Sequence, residues 1–244
     1  SYDGRFAQFF DAIKAKYPNL KTISTIANDQ PEKQRVHSRK PDVIDEHYYR
    51  STDEFLAMSP NYARGYDRSG PEIFVGEWAA HEDARIKPWS PEARQQSPTP
   101  SMKAALGDAV FMAAMERNSD LIQMQCYAPL LVNVNPGARQ WRPDLIGYGA
   151  LSAYGSPSYY AREMFSTNLG DEILPVASTD SSIQGCATRE RRSGLVFLKL
   201  VNPEAKPVTL QLEIKGAASL SSKATVTTLS AAPDQMNSIE RPRN

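Results

Sequence analysis

GPEIFVGEWA, Gly70 to Ala79, places a Gly-Pro turn before an apolar run that breaks on Gly76-Glu77-Trp78. It reads as a strand over 71–79, and at a period of two Ile73, Val75, Glu77 and Ala79 share one face. A buried acid costs several kcal/mol unless it is paired or hydrogen-bonded. Glu77 therefore needs either a partner or a task.

Upstream, Phe6, Phe9, Phe10, Ile13 and Tyr17 recur at helical spacing, and Tyr17-Pro18-Asn19 closes that helix. LKTISTIA (20–27) and PDVIDEHYY (41–49) read as strands, and 51–64 as a short helix opened by Ser51-Thr52-Asp53-Glu54. Downstream, a Pro-rich loop precedes a helix over 101–120. LIQMQCYAPLLV (121–132) is a strand, and 156–170 is a helix stopped by Gly170. This alternation predicts parallel strands with helical crossovers. Four strands are too few to close a (β/α)8 barrel. The reading is therefore a small open α/β sheet or the later half of a barrel.

From about residue 172 the texture changes. CATRE, GLVFLKLVN, VTLQLEIKG and KATVTTLSA alternate as strands between Gly, Pro and Ser, which predicts an all-β region, a sandwich in part. The expected division is 1–171 and 172–244.

The 244 residues are 41% apolar and 23% charged, with a formal net charge of zero. No basic excess points to nucleic acid or an anionic membrane, which leaves a neutral or small-molecule partner. No apolar run approaches the roughly 20 residues that cross a bilayer. Cys126 and Cys186 lie in segments of different character and read as buried or half-buried thiols. His37, His47 and His81 lack ligand spacing, so no metal site is expected.

In parallel α/β architectures ligands bind at the carboxyl ends of the strands. Asp45, His47 and Tyr49 share a face near the end of one strand, Glu77 and Trp78 end the next, and Gln123, Gln125 and Tyr127 lie on another. Carboxylates, imidazole, phenols and indole suit a sugar site: carboxylates do the acid/base or nucleophilic work, and aromatic faces stack on rings. The structural alternative pairs Glu77 with an arginine, has His47 donate to a backbone carbonyl, and makes Asp45-Glu46 a cap or loop salt bridge. For Trp78 and Trp141, core packing stands beside ligand contact.

The stretches YDGRFAQFFDAIKAKYPNLKTIS, DEHYY, YDRSGPEIFVGEWA, ERNSDLIQMQCYAPLLVN, RQWRPDLI and YGSPSYYAREMFSTNLGD, taken in order over roughly residues 2–170, resemble the α-L-arabinofuranosidases of glycoside hydrolase family 51. The resemblance implies a (β/α)8 barrel with an attached β-sandwich, of which this chain holds strands five to eight and part of the sandwich. It implies retaining hydrolysis that releases terminal α-L-arabinofuranosyl units from arabinan or arabinoxylan, without cofactor. Glu77 matches the nucleophile. His47 and Tyr49 match positions around the sugar, and Gln123, Trp78 and Trp141 are further candidates for substrate contact.

The family's acid/base follows an Asn-Glu motif upstream of the segment matching Tyr2, and no Asn-Glu occurs in this sequence. The expectation is that the acid/base lies outside this chain and that these 244 residues alone are inactive. Polysaccharide side-chain removal favours a secreted or periplasmic setting, and a homo-oligomer is open. The rival readings are a non-catalytic carbohydrate-binding or assembly protein on the same scaffold, and another retaining barrel glycosidase, a xylosidase or endoglucanase.

Overall fold

The computed structural model describes residues 1–26, 35–138, 141–217 and 219–243. Helix α1 (Tyr2–Lys16) opens on Ser1, whose hydroxyl accepts from Gly4 N–H, and carries Lys14 and Lys16 in its last turn. Those cations complement the carboxyl end of the helix dipole. Strand β1 (Ile23–Ile26) comes next; residue 27, the end of the expected run, lies outside the described residues.

Strand β2 (Val43–Ser51) leads directly into α2 (Thr52–Met58). Ser51 Oγ accepts from Glu54 N–H at 3.3 Å, and Glu54 accepts from Ser51 N–H at 2.7 Å, which closes a capping box. The helix expected over 51–64 is divided: Pro60 precedes a separate short helix, α3 (Asn61–Arg64). Strand β3 (Glu72–His81) and the long helix α4 (Met102–Arg117) come next, then β4 (Ile122–Tyr127). The four strands form one parallel sheet in the order β1-β2-β3-β4. The strands are parallel as expected, and helices lie between β2 and β3 and between β3 and β4; the connection from β1 to β2 runs in part outside the described residues.

Helices α2 and α4 cover one face of this sheet. Phe55 stacks on Phe111 at 4.3 Å between ring centroids, and Trp78 meets Phe111 edge-on at 5.2 Å. Tyr62, Val75, Val110 and Ile73 complete the fully buried layer. Gly107 of α4 lies where a Cβ would stand 2.8 Å from the Thr52 backbone, so glycine lets α4 approach the start of α2.

The run over 121–132 is not one strand. β4 stops at Tyr127, Pro129 interrupts, and β5 (Leu131–Asn133) joins a different sheet with β6 (Ile146–Tyr148) and β7 (Ala153–Gly155), in the order β5-β6-β7. Proline removes a ladder donor, so the chain changes sheets there. Helix α5 (Pro157–Thr167) is capped by Ser156 and starts on proline, where the missing N–H costs nothing.

Beyond it, β8 (Glu172–Leu174), β9 (Gln184–Arg189) and β10 (Val196–Val201) form an antiparallel sheet in the order β10-β9-β8. It is tied to α4 by the nearly buried Lys199–Glu116 ion pair at 2.6 Å and by Arg117 donating to Gly185 O. The strands expected over 208–216 and 223–231 are not formed. Val208, Leu210, Leu212 and Ile214 alternate as a strand would, yet all four stay exposed. A period-two pattern becomes a strand only beside a pairing neighbour and under a covering layer. Among the described residues this segment has neither.

Candidate active site

Strand β2 separates its side chains cleanly. Glu46 and Tyr48 face the helices, where the Tyr48 and Tyr66 hydroxyls donate to the Glu46 carboxyl at 2.7 and 2.8 Å. Burial raises the Glu46 carboxyl above its usual range, and the two phenols oppose that rise. Asp45, His47 and Tyr49 take the opposite face. Asp45-Glu46 is thus neither a cap nor a loop salt bridge but two acids on opposite sides of one strand.

Strand β3 does not keep the alternation expected of it. Glu46 pairs with Val75 and His47 with Glu77, which leaves Gly76 as an extra residue in a bulge. A bulge re-aims the side chains beyond it. Ile73 and Val75 belong to the helix-side core, but past the bulge so do Trp78 and Ala80 rather than Glu77 and Ala79. Ala79 joins Tyr49, Tyr127 and Leu145 in a second cluster on the other side. Glu77 is therefore not a buried acid. Its side chain is 48% exposed, with the Tyr49 hydroxyl donating to Oε2 at 3.0 Å and His47 Nδ1 at 3.6 Å from the same oxygen. The phenol is buried and held by the carboxylate, which raises its pKa far above normal and keeps it a donor. On its other side, His47 Nε2 lies 3.1 Å from Asp45 Oδ2.

The result is a carboxylate at the carboxyl end of a parallel strand, open to a ligand and gripped from one side by a phenol and an imidazole. Matching that geometry, residues 76–244 fit the α-L-arabinofuranosidase C-terminal domain and residues 1–68 the α-L-arabinofuranosidase 1 domain. The chain belongs to the α-L-arabinofuranosidases of glycoside hydrolase family 51.

It is 37% identical to α-L-arabinofuranosidase A of Aspergillus kawachii over 88% of this chain and 32% of that protein. It is 32% identical to α-L-arabinofuranosidase 2 of Arabidopsis thaliana over 99% of this chain and 34% of that one. A solved structure of an arabinose-bound family 51 α-L-arabinofuranosidase superposes with a TM-score of 0.73 at 34% identity, covering 83% of this chain and 32% of that chain. The chain spans about a third of the length of these relatives.

Within this arabinofuranosidase fold, the expected site residues do not all converge. Glu77, His47 and Tyr49 do. Trp78 does not: it is 0% exposed, its Nε1–H donates to Gln125 Oε1 at 2.8 Å, and Arg162 lies over its ring at 5.0 Å. The bulge that turns Glu77 outward turns the indole under the helices, which makes Trp78 core. Gln123 is also displaced. It sits at the amino end of β4, beside the Ile73 level of β3, and its amide donates to Ser119 O. That end of the sheet is opposite to Glu77. Trp141 is 39% exposed on the loop before β6, and it adjoins Arg142, which is buried against Glu82 at 2.6 Å. Among the described residues no group of three His, Cys, Asp or Glu side chains is placed to hold a metal, and no helix is long and apolar enough to cross a membrane.

Two buried acids escaped the sequence reading. Asp108 on α4 accepts from Ala80 N–H at 2.7 Å and so clamps the helix to the end of β3. Burial lifts its carboxyl to about 7, against the opposing pull of Ser158 and Arg162. Asp144 is lifted to about 8 by burial, with Arg142 opposing. The visible signal for Asp108 was an acid inside an otherwise apolar helical run.

Its titration has a definite sign. The folded pKa lies above the unfolded value of 3.8, so the folded state keeps a proton that the unfolded chain releases. Stability from this group therefore falls as pH rises from about 4 to about 7 and levels off above that. Asp108→Asn in the full-length protein is expected to flatten that part of the curve. Thermal unfolding midpoints of both proteins across pH 4 to 8 test it, and parallel curves would refute it.

Proposed function

We propose that this chain supplies the nucleophile of a retaining α-L-arabinofuranosidase, acting on terminal α-L-arabinofuranosyl units of arabinose-containing oligo- or polysaccharides. Residues 1–171 are assigned to strands five to eight of a (β/α)8 barrel, and 172–244 to part of a C-terminal β-sandwich. The parallel β1-β2-β3-β4 order and the antiparallel β8–β10 sheet support that division.

The observation that carries the reading is the setting of Glu77. Tyr49 and His47 both address Oε2, and the half-exposed carboxylate makes no hydrogen bond through Oε1 among the described residues, which leaves that oxygen for a ligand. Oε1 attacks the anomeric carbon, the leaving oxygen departs, and an arabinosyl ester forms on Glu77. Water then cleaves that ester at the same carbon, so configuration is retained. As negative charge leaves Glu77 during attack, the phenol and imidazole hold the carboxylate in register rather than bind it more tightly. Return of charge in the second step is where the Tyr49 hydroxyl's donation helps most.

Retention needs a second carboxyl about 5–5.5 Å away to protonate the leaving oxygen and then activate water. Asp45 is committed to His47, and Glu46 lies behind the sheet. The family resemblance places the acid/base after an Asn-Glu motif that this sequence lacks, and we assign it on that ground to a residue outside these 244.

The test uses the full-length protein on an aryl α-L-arabinofuranoside, an aryl β-D-xyloside and cellulose. The arabinofuranoside is expected to be the substrate, with the first product released in the starting configuration by NMR. Preference for xyloside or cellulose, or an inverted first product, would replace this reading with another glycosidase.

A further inference from the structure

We propose that Asp45 is a positioning residue that acts on Glu77 through His47, and that position 76 is glycine to make room for it. The proposal rests on the reading of Glu77 as nucleophile and adds the device that aims it.

The Asp45 side chain is only 12% exposed. One oxygen, Oδ2, meets His47 Nε2 at 3.1 Å. The other, Oδ1, is sealed from solvent and has no hydrogen-bond partner among the described residues. It lies where a Cβ on residue 76 would stand, at 2.0 Å. A carboxylate left half-satisfied inside a protein is costly, and such a group needs an explanation beyond packing. Here the bulge brings backbone without a side chain over Asp45, and the carboxylate fills that space. The same one-residue irregularity therefore turns Glu77 to the exposed side and admits the acid that anchors its neighbour.

The chemistry of the ring completes the argument. Both imidazole nitrogens face carboxylates: Nε2 faces Asp45 and Nδ1 faces Glu77. An imidazole held at one nitrogen by a buried acceptor cannot flip without losing that bond. Asp45 thus fixes which edge of His47 is presented to Glu77 Oε2. Without it the ring is free to turn, and the nucleophile loses one of its two lateral supports.

The experiment is a double-mutant cycle in the full-length protein, read as kcat and KM on an aryl α-L-arabinofuranoside. Asp45→Asn is expected to lower kcat by about 10- to 100-fold, with KM changed less than about 3-fold, since small misplacement of a reacting group costs rate on that scale. In a His47→Gln background the same change is expected to cost less than about 2-fold, because contacting residues do not add. A loss of equal size in both backgrounds, or an unchanged kcat in Asp45→Asn, overturns the proposal. If Asp45→Asn does not fold, Asp45→Ser relieves the crowding at Gly76 and is read against the same outcomes.

Gly76→Ala supplies a steric check. Alone it is expected to lower kcat by displacing the Asp45 carboxylate, and combined with Asp45→Ser it is expected to be no worse than Asp45→Ser alone. An additive pair counts against the proposal. The nucleophile assignment is read separately, from Glu77→Ala. If that variant is inactive while the Asp45–His47 cycle is additive, Asp45 loses its role and Glu77 stays in place.

Discussion

Glu77→Ala in the full-length protein is expected to lower kcat on an aryl α-L-arabinofuranoside by about 10⁴-fold or more, the scale on which a covalent nucleophile is lost. The residue is half-exposed and contributes little to the core, so the thermal midpoint is expected to hold or rise. Alanine also opens a space at the end of β3 beside Tyr49. Small anions such as azide are expected to enter it and attack the anomeric carbon from the vacated side. The product is then an arabinosyl azide of inverted configuration. Near-native turnover by Glu77→Ala would remove the assignment, and inactivity without any azide product would reduce Glu77 to a binding or structural carboxylate.

The second large effect concerns stability rather than rate. Trp78→Ala removes a side chain with no solvent exposure from among Phe55, Phe111 and Tyr127, where it makes three edge-on ring contacts. Deleting a buried aromatic of this size costs about 3–5 kcal/mol. Loss of the Arg162 guanidinium from the ring face adds to that. Denaturant unfolding of the full-length protein is expected to show a lower midpoint for the transition that contains this sheet. Trp78→Phe is expected to lose distinctly less. The folded fraction of either variant is expected to keep the parent KM. A raised KM with unchanged stability would return the indole to the sugar site.

These two residues are neighbours in sequence, and their contrast marks where sequence reading reached and where it stopped. The parallel strands were legible because the apolar runs are bracketed by turn residues and alternate with helices that carry their own start signals, as at Ser51 and Ser156. His47 and Tyr49 were legible from strand end and strand period together. Glu77 was legible from its place at a strand end and from the family resemblance, against the period that put it on the face of Ile73 and Val75. The bulge was not. Gly76 inside a strand is compatible with regular pairing, a bulge or a close backbone approach, and only the partner strand decides among these. Every side-chain direction after residue 76 therefore came out reversed relative to the buried face, and Trp78 was left between core packing and ligand contact.

Gln123 failed for a related reason: β4 begins at Ile122, so its second residue belongs to the wrong end of the sheet. The later strands failed differently. Residues 208–214 have the composition of a strand, but pairing is a property of two segments, and the pattern of one cannot supply the other. Asp108 and Asp144 were hidden because an acid on an apolar helix, or in the loop between β5 and β6, reads as solvated until tertiary contacts enclose it.

The extra residue at 76 works as a phase shift between two readings of the same strand. Before it, odd positions belong to the oily side; after it, even positions do. Pairing Gly76 in a regular ladder would exchange the fates of the next two side chains, sending an ionised group beneath α4 and an indole to the exposed face. Deleting it would instead leave Val75 opposite Glu46 and Glu77 opposite His47, each on its present side. The sides taken by Glu77 and Trp78 thus hang on one unpaired residue just before them, and not on their own kinds alone.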